Sequence, residues 1–579
     1  MSTQLIRSNE KPDIHDDSSL SSVDEKGSLK VDTSSVKEKV LPLGAPPPQP
    51  SGNPFLSAFK KRPQLELDAI ATQPSVFDDP TSLEVYRPPQ EFENAHRFDP
   101  DARWTWREEK KVVRKIDLRI MIWAAIMFFS LDLDRSNISQ ANADNFLQDL
   151  NLTTNDFNLG NTLFRLSFLL AELPSQLVSK RVGPDVWIPC QMVAWSAVSL
   201  SQFWLSGRKS FLACRFLLGF MQGGFIPDVV LYLSYFFTKN ELPIRMAYFW
   251  LSNYAADIIS AFLGAGILKM RGVGGRAGWR YLFLLEGILT LAIGIASFFL
   301  MPPGPTQTKT WFRPKGWFTE REEVIMVNRV LRDDPTKSSM HNREGLSPRM
   351  LWEAVCDWKL WPIYALGLVH MMPVGPPQTY LTLSLRNLGF DTTQSNLLTI
   401  PSVIIGVIML LFTAYFSERF NSRVSATIIL QVWALPLLVA LYTFNKETSQ
   451  WVYYAVVTLV TGFPYVHPIQ VAWASRNSYS VRTRTVSASI YNMFVQTGAI
   501  VYANIYRKDD APLYKRGNRA LIAIASMNIC IYIFTHFFYK YLNSRRDKVW
   551  NSWTAQEREE YVKNTKDEGN NRLDFRFAY

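Results

Sequence analysis

The sequence predicts an all-α membrane protein with twelve transmembrane helices in two six-helix bundles. Three observations carry the prediction. Twelve predominantly apolar runs lie between Ile116 and Tyr541, they divide six and six around a long polar segment, and Lys and Arg gather beside particular runs. Each run is about twenty residues or longer, enough to cross a hydrocarbon core of about 30 Å as a helix. A helix is also the open-ended element that satisfies its own backbone hydrogen bonds in lipid. Mean hydropathy, at −0.04, conceals this because polar flanks dilute the apolar runs, so a windowed reading decides.

Residues 1–115 read as a disordered cytoplasmic tail: Ser18–Lys39 is rich in Ser, Asp and Lys, Pro42–Pro54 is proline-rich, and no apolar period is sustained. Nothing before Ile116 resembles a signal-peptide core, so the first run is expected to direct insertion itself. The N-terminal bundle, residues 116–301, comprises Ile116–Asn137, Asn158–Ser179, Trp187–Ser206, Phe211–Phe237, Met246–Met270 and Trp279–Met301. A cytoplasmic central loop, residues 302–359, follows. In it Thr319 and Glu322 stand three apart as a capping box for a short helix to about Arg332, stopped by Asp333-Asp334-Pro335. The C-terminal bundle, residues 360–541, comprises Leu360–Leu385, Leu397–Phe416, Val424–Phe444, Trp451–Trp473, Val486–Tyr506 and Leu521–Tyr541, and residues 542–579 form a second cytoplasmic tail. Trp123, Trp187, Trp279, Trp451 and Tyr541 near run ends suit interfacial belts, although aromatic residues also fill cores.

Charge sets the expected orientation. Arg103, Arg107, Lys110, Lys111, Arg114 and Lys115 crowd the approach to the first run, and the central loop is also basic, so both belong in the cytoplasm. The first external loop then holds the sequon Asn151-Leu152-Thr153, with Asn151 as a glycosylation candidate. Two other external loops are basic, one with Lys269, Arg271, Arg276 and Arg280. Either the first run fixes topology and these loops follow, or they form a vestibule that concentrates anions. The formal net charge of +11 fits flanks at an acidic membrane surface rather than nucleic-acid binding. Cys190, Cys214, Cys356 and Cys530 lack metal-ligand spacing, and neither a metal nor a cofactor is expected. No nucleophile and base pairing points to an enzyme. The glycine-rich Gly272–Gly278 follows no strand, so a dinucleotide reading fails.

An ionisable group in hydrocarbon is costly unless it faces protein or water. Arg165 and Glu172 lie seven apart, as do Arg215 and Gln222, and each pair shares one helical face. Asp132, Asp134 and Arg135 end the first run, Asp257 and Glu286 lie in the fifth and sixth, and His370, His467 and His536 are the ionisable groups of the second half. Each has an alternative role as an interhelical bond that only holds the bundle.

Several motifs in order resemble the major facilitator superfamily, and within it the fungal allantoate-permease-like branch of the anion:cation symporters. They are Asp117-Leu118-Arg119 and Leu133-Asp134-Arg135-Ser136-Asn137-Ile138, Glu172-Leu173-Pro174-Ser175, Arg215-Phe216-Leu217-Leu218-Gly219 with Gly223-Gly224-Phe225-Ile226-Pro227, Gly278-Trp279-Arg280-Tyr281-Leu282-Phe283 with Glu286-Gly287, and Asp510-Ala511-Pro512-Leu513-Tyr514. The resemblance implies the major facilitator fold and a secondary active transporter of a small organic anion, a carboxylated nitrogen compound or vitamin such as allantoate, ureidosuccinate, nicotinate, pantothenate or biotin. A non-transporting nutrient sensor of the same fold is the alternative.

Arg135 and Arg215 are expected to bind the substrate carboxylate, because the guanidinium fork is planar and stays charged. Arg165 and Gln222 join them, and position in the second half adds His370, Gln378, Tyr380 and Asn492. The resemblance implies proton coupling through an acid seven residues after Arg215, where this chain has Gln222. Asp134, Glu172 and Asp228 are therefore the coupling candidates, in that order. A gate motif recurs in altered form at Ala414–Arg423, where Glu418, Arg419 and Arg423 form an expected latch, with Glu241 and Arg245 as a substitute pair in the first half. The expected partners are the anion, protons and a lipid bilayer, with no nucleic acid. The chain is expected to work as a monomer in the plasma membrane, or in an endomembrane.

Overall fold

The structure is a computed structural model that describes residues 43–44, 66–238, 241–335, 337, 352, 354–420, 422–445, 447–478, 481–565 and 569–579. Ser18–Lys39 and nearly all of Pro42–Pro54 lie outside them. The described residues are helical, with no strand among them. Among the described residues the helices make twelve passes in two groups of six. Arg208–Leu233, Tyr248–Met270, Gly278–Leu300, Thr392–Ser417, Arg423–Thr443 and Lys515–Ser552 are long and apolar enough to cross a membrane by length and composition alone. The other passes are Ile122–Ala141, Thr154–Val182, Pro184–Ser201, a pass from Trp361 to Asn387, a pass from Gln450 to Ser478, and Val481–Tyr502. They are called spans 1 to 12 in chain order.

Local sequence sets the ends and the breaks. Thr153 caps span 2 by a reciprocal box with Asp156. Span 4 loosens at Gly223-Gly224 between Arg208–Gln222 and Phe225–Leu233. Span 7 is divided into Trp361–Val369, Gly375–Thr379 and Leu381–Asn387, and span 10 into Gln450–Thr461 and His467–Ser478 around Gly462-Phe463-Pro464. Apolar composition does not reveal these breaks. They matter because irregular backbone at membrane depth is tolerated where it lines a cavity.

Within the first half span 2 packs on span 4, span 3 on span 6, and span 1 on spans 5 and 6; in the second, span 12 packs on span 9 and span 11 on spans 7 and 10. Span 11 meets span 2 and span 8 meets span 5 across the halves. The face carrying the central loop and residues 542–579 is called the tail face, and its opposite the loop face.

Residues 66–115 differ from the expected disordered tail. Trp106–Ile116 is a helix capped by Thr105 and Glu108, and the segment docks on the central-loop helix Glu320–Asp333. Lys115 Nζ donates to both Glu322 oxygens at 2.6 and 2.7 Å. Arg97 Nε donates to Glu323 at 2.9 Å, and Arg332 binds Asp78 and the Gln73 carbonyl. Phe77, Phe92 and Trp104 are buried beneath these pairs. Polar composition hid the fold because its apolar anchors are sparse and its partner lies more than two hundred residues away. The Thr319–Glu322 capping box forms as read, with the helix ending at Asp333.

Candidate functional site

Between the halves lies a cavity of about 470 Å³. Its first-half wall carries three arginines around one phenyl ring. The guanidinium carbons of Arg215, Arg165 and Arg135 lie 4.6, 5.8 and 5.9 Å from the Phe164 ring centre. Glycine makes this approach possible: a Cβ at Gly219, one turn beyond Arg215, would collide with the Phe164 carbonyl, so spans 2 and 4 touch backbone to backbone.

The arginines are held by neutral groups. Arg215 Nη2 donates to Asn161 Oδ1 at 2.9 Å, Arg135 Nε to Gln222 Oε1 at 3.0 Å, and Arg165 Nη1 to Gln496 Oε1 at 3.3 Å. Asp132 is the carboxylate in reach of Arg135, at a long 3.9 Å. Asp132 and Asp257 also line the cavity, so with both ionised the three arginines leave one positive charge over. A buried excess of cations is costly and stands ready to be neutralised by an anion. The aromatic ring beneath offsets part of that cost by cation–π contact.

Of the residues expected at the site, Arg135, Arg165, Arg215, Gln378 and Asn492 line the cavity. Gln222 stands one bond behind, fully buried and positioning Arg135. His370 does not reach the wall. It is fully buried, its Nδ1 lies 3.1 Å from the Leu366 and Gly367 carbonyls, and its ring stacks behind His467, which does line the cavity. Tyr380 is also corrected: it is buried at the loop face, where its hydroxyl donates to Asn158 Oδ1. Asp134, Glu172 and Asp228 are buried away from the cavity wall. Asp134 Oδ1 accepts from Ser199 Oγ at 2.6 Å and Asp228 Oδ2 from Ser175 Oγ at 3.4 Å.

The expected Glu241–Arg245 pair is replaced by two others. Glu241 accepts from Arg329 of the central loop at 2.7 and 2.8 Å, and Arg245 donates to both Asp117 oxygens at 3.0 Å. Arg423 Nη1 donates to Ser417 Oγ at 2.6 Å; Arg419 is exposed over Phe420, and the Glu418 side chain lies outside the described residues. Asn151 is exposed on the loop face. In the basic loop there, Arg271 pairs with Asp144 and Asp149, and Arg280 donates to the Phe203 and Leu205 carbonyls, while Lys269 and Arg276 are exposed. Among the described residues no group of three or more His, Cys, Asp or Glu could hold a metal ion.

Sequence reasoning missed Asn161, Phe164, Tyr465 and Gln496 as cavity residues. Pro464 beside Gly462 was the available signal for Tyr465 and His467; a neutral residue facing a distant arginine leaves no signal in one sequence.

The halves meet at the loop face, closing the cavity there. Asn158 Nδ2 donates to the Tyr506 carbonyl at 2.6 Å, Thr392 Oγ1 to the Ala143 carbonyl at 3.1 Å, and Asn504 Nδ2 to Thr162 Oγ1 at 2.9 Å. Thr382 binds the Ser139 carbonyl.

Known proteins resemble this chain along most of its length. The family model described as Major Facilitator Superfamily matches residues 124–503. Uncharacterized transporter YIL166C of Saccharomyces cerevisiae is 43% identical over 520 residues, which cover 89% of this chain and 96% of that protein. Major facilitator-type transporter hxnP of Emericella nidulans is 26% identical over 447 residues, covering 76% and 88%. A solved bacterial homolog of the human lysosomal transporter Spinster, inward-facing and occupied, aligns with a TM-score of 0.52 at 13% identity, covering 74% of this chain and 96% of its own. The nucleoside transporter NupG aligns with a TM-score of 0.53 at 9% identity, covering 72% and 99%. At such identities the structures speak for the fold alone.

Proposed function

The chain belongs to the major facilitator superfamily, a family of membrane transporters and not of enzymes, and from that premise we propose that it carries a small organic anion by proton-coupled alternating access. The observation that carries the anion reading is the cluster of Arg135, Arg165 and Arg215 around Phe164, held by amides rather than carboxylates. A planar carboxylate can take two parallel hydrogen bonds from such a fork. Gln378, Asn492 and His467 on the opposite wall offer polar contacts for the rest of the molecule. The motifs of the first half support a position in the allantoate-permease-like branch, with a carboxylated nitrogen compound or vitamin as substrate. In this reading the tail face is cytoplasmic, Asn151 is external, and the plasma membrane is the site of action.

The test is uptake of a labelled panel of small carboxylates, with cations and neutral solutes as controls, in cells expressing the protein with and without a proton gradient. Accumulation of one or more carboxylates that collapses with the gradient is the expected result. Selective transport of cations would refute the anion reading, and binding without uptake would favour a sensor.

A further inference from the structure

We propose that Asp134 and Glu286 form a two-carboxyl proton site inside the first bundle, set apart from the substrate cavity by the body of span 1. Its use in coupling rests on the symport reading above; its existence does not.

Asp134 on span 1 and Glu286 on span 6 lie where these spans meet span 3, with Ser199 of span 3 and Thr290 of span 6 at Asp134 and Asn137 of span 1 at Glu286; they are 0% and 1% exposed, and neither lines the cavity. Ser199 Oγ donates to Asp134 Oδ1 at 2.6 Å, with Trp195 and Thr290 close to the same carboxyl and Asn137 beside Glu286. Beyond that one bond, polar capacity is left over. Asp134 Oδ2, both Glu286 oxygens, both polar atoms of the Asn137 side chain and the Trp195 indole N–H have no hydrogen-bond partner. Asn137, 1% exposed, lies one turn from Asp134 and beside Glu286, so its amide belongs to the same polar cluster.

No base offsets the pair. Span 3 turns Trp195 and Ser199 toward it and span 6 turns Thr290, none of them a charge. Span 5, packed on span 1, contributes Asp257, which faces the cavity with Asp132. Arg135, next in sequence, lines the cavity and donates to Gln222 behind the wall. Two carboxylates in a low-dielectric interior without a cation cannot both stay ionised. One proton on the pair leaves a single negative charge, which the Ser199 and Trp195 donors suit. Span 1 then presents the proton site on one face and the anion-binding Arg135 on another, so one helix senses both.

Infrared difference spectroscopy of the purified full chain near neutral pH tests this without knowledge of the substrate, with the proton as the probe. Glu286→Gln and Asp134→Asn are each expected to remove a deuterium-sensitive band of a buried protonated carboxyl, and Glu286→Asp to shift it. Spectra in which all such bands persist unshifted in the three variants overturn the proposal, and Glu286→Asp keeps the test decisive if a neutral variant does not fold. In the uptake assay, loss of gradient-driven accumulation in Glu286→Gln supports coupling through the pair. A wild-type protein that ignores the proton gradient ends the symport reading, while the band still decides the pair.

Discussion

Arg215 and Gln222 show how single residues set the character of the cavity. Arg215 is buried, with Phe164 below it and Asn161 holding one arm. Arg215→Lys keeps the charge but loses the fork, and a charge-assisted hydrogen bond is worth about 1.5–3 kcal/mol. Anion affinity, measured by competition on purified protein with whichever carboxylate the uptake panel yields, should fall about ten- to a hundredfold. Gln222 accepts from Arg135 Nε without neutralising it. Gln222→Glu would set a titratable acid against that guanidinium. When ionised it competes with the anion, and when protonated it resembles the wild type. Affinity should therefore become pH-dependent and weaken as pH rises, by about tenfold; an affinity equal to wild type across the pH range would show that Arg135 does not bind the anion.

Among the elements, the tail-face module built by residues 66–116 and the central-loop helix is where pH should act on structure. Burial alone would raise the Glu322 carboxyl, but the Lys115 ammonium and the Thr319 backbone N–H hold it below its ordinary 4.5. Asp78 beside Arg332 and Glu108 beside Arg321 are lowered for the same reasons against the same burial. A depressed carboxyl contributes stability that is present above its unfolded value and is lost as pH falls through the folded one. Docking should thus hold near neutrality and loosen below about pH 4. Hydrogen exchange over residues 66–116 reads this, and protection unchanged in acid would show that packing of Phe77 and Trp104 suffices. Arg332→Ala should loosen the same residues near neutrality, by about 1.5 kcal/mol, or roughly tenfold in exchange, because it removes the charge-assisted bonds to Asp78 and the Gln73 carbonyl while Arg103 and the Ser75 N–H still hold Asp78. The twelve spans and the Thr319 cap were legible because hydropathy and capping are local. The breaks in spans 7 and 10 were not, since a broken span and a whole one share an apolar composition. Nor were Glu241–Arg329 and Asp117–Arg245, whose partners are set by tertiary packing alone. Of the site, the buried arginines were legible from their cost in lipid, while Asn161, Gln496 and Phe164 carried no cost to betray them.

For the whole molecule, alternating access requires the loop-face closure to break. Asn158 of span 2 makes two of the bonds of that closure: it is buried, donates to the Tyr506 carbonyl and accepts from the Tyr380 hydroxyl, thereby joining span 7 and the segment after span 11 to the first half. Phe157 meets the edge of Tyr380, and Tyr506 and Tyr514 stack at 4.3 Å behind it. Asn158→Ala would leave the Tyr380 hydroxyl buried without its acceptor in the closed state, whereas the open state can hydrate it. A stranded buried polar group costs about 1–3 kcal/mol, so the equilibrium should move about ten- to a hundredfold toward opening at the loop face. A cysteine at Gln378, on the cavity wall, reports the change in a background with Cys190, Cys214, Cys356 and Cys530 replaced by serine. A membrane-impermeant thiol reagent applied to the loop face should label it correspondingly faster in Asn158→Ala. Asn504→Ala removes a more exposed bond to Thr162 and should change labelling only slightly. Equal rates in both variants and the wild type would mean that packing of the tyrosines, rather than the Asn158 bonds, holds the halves together.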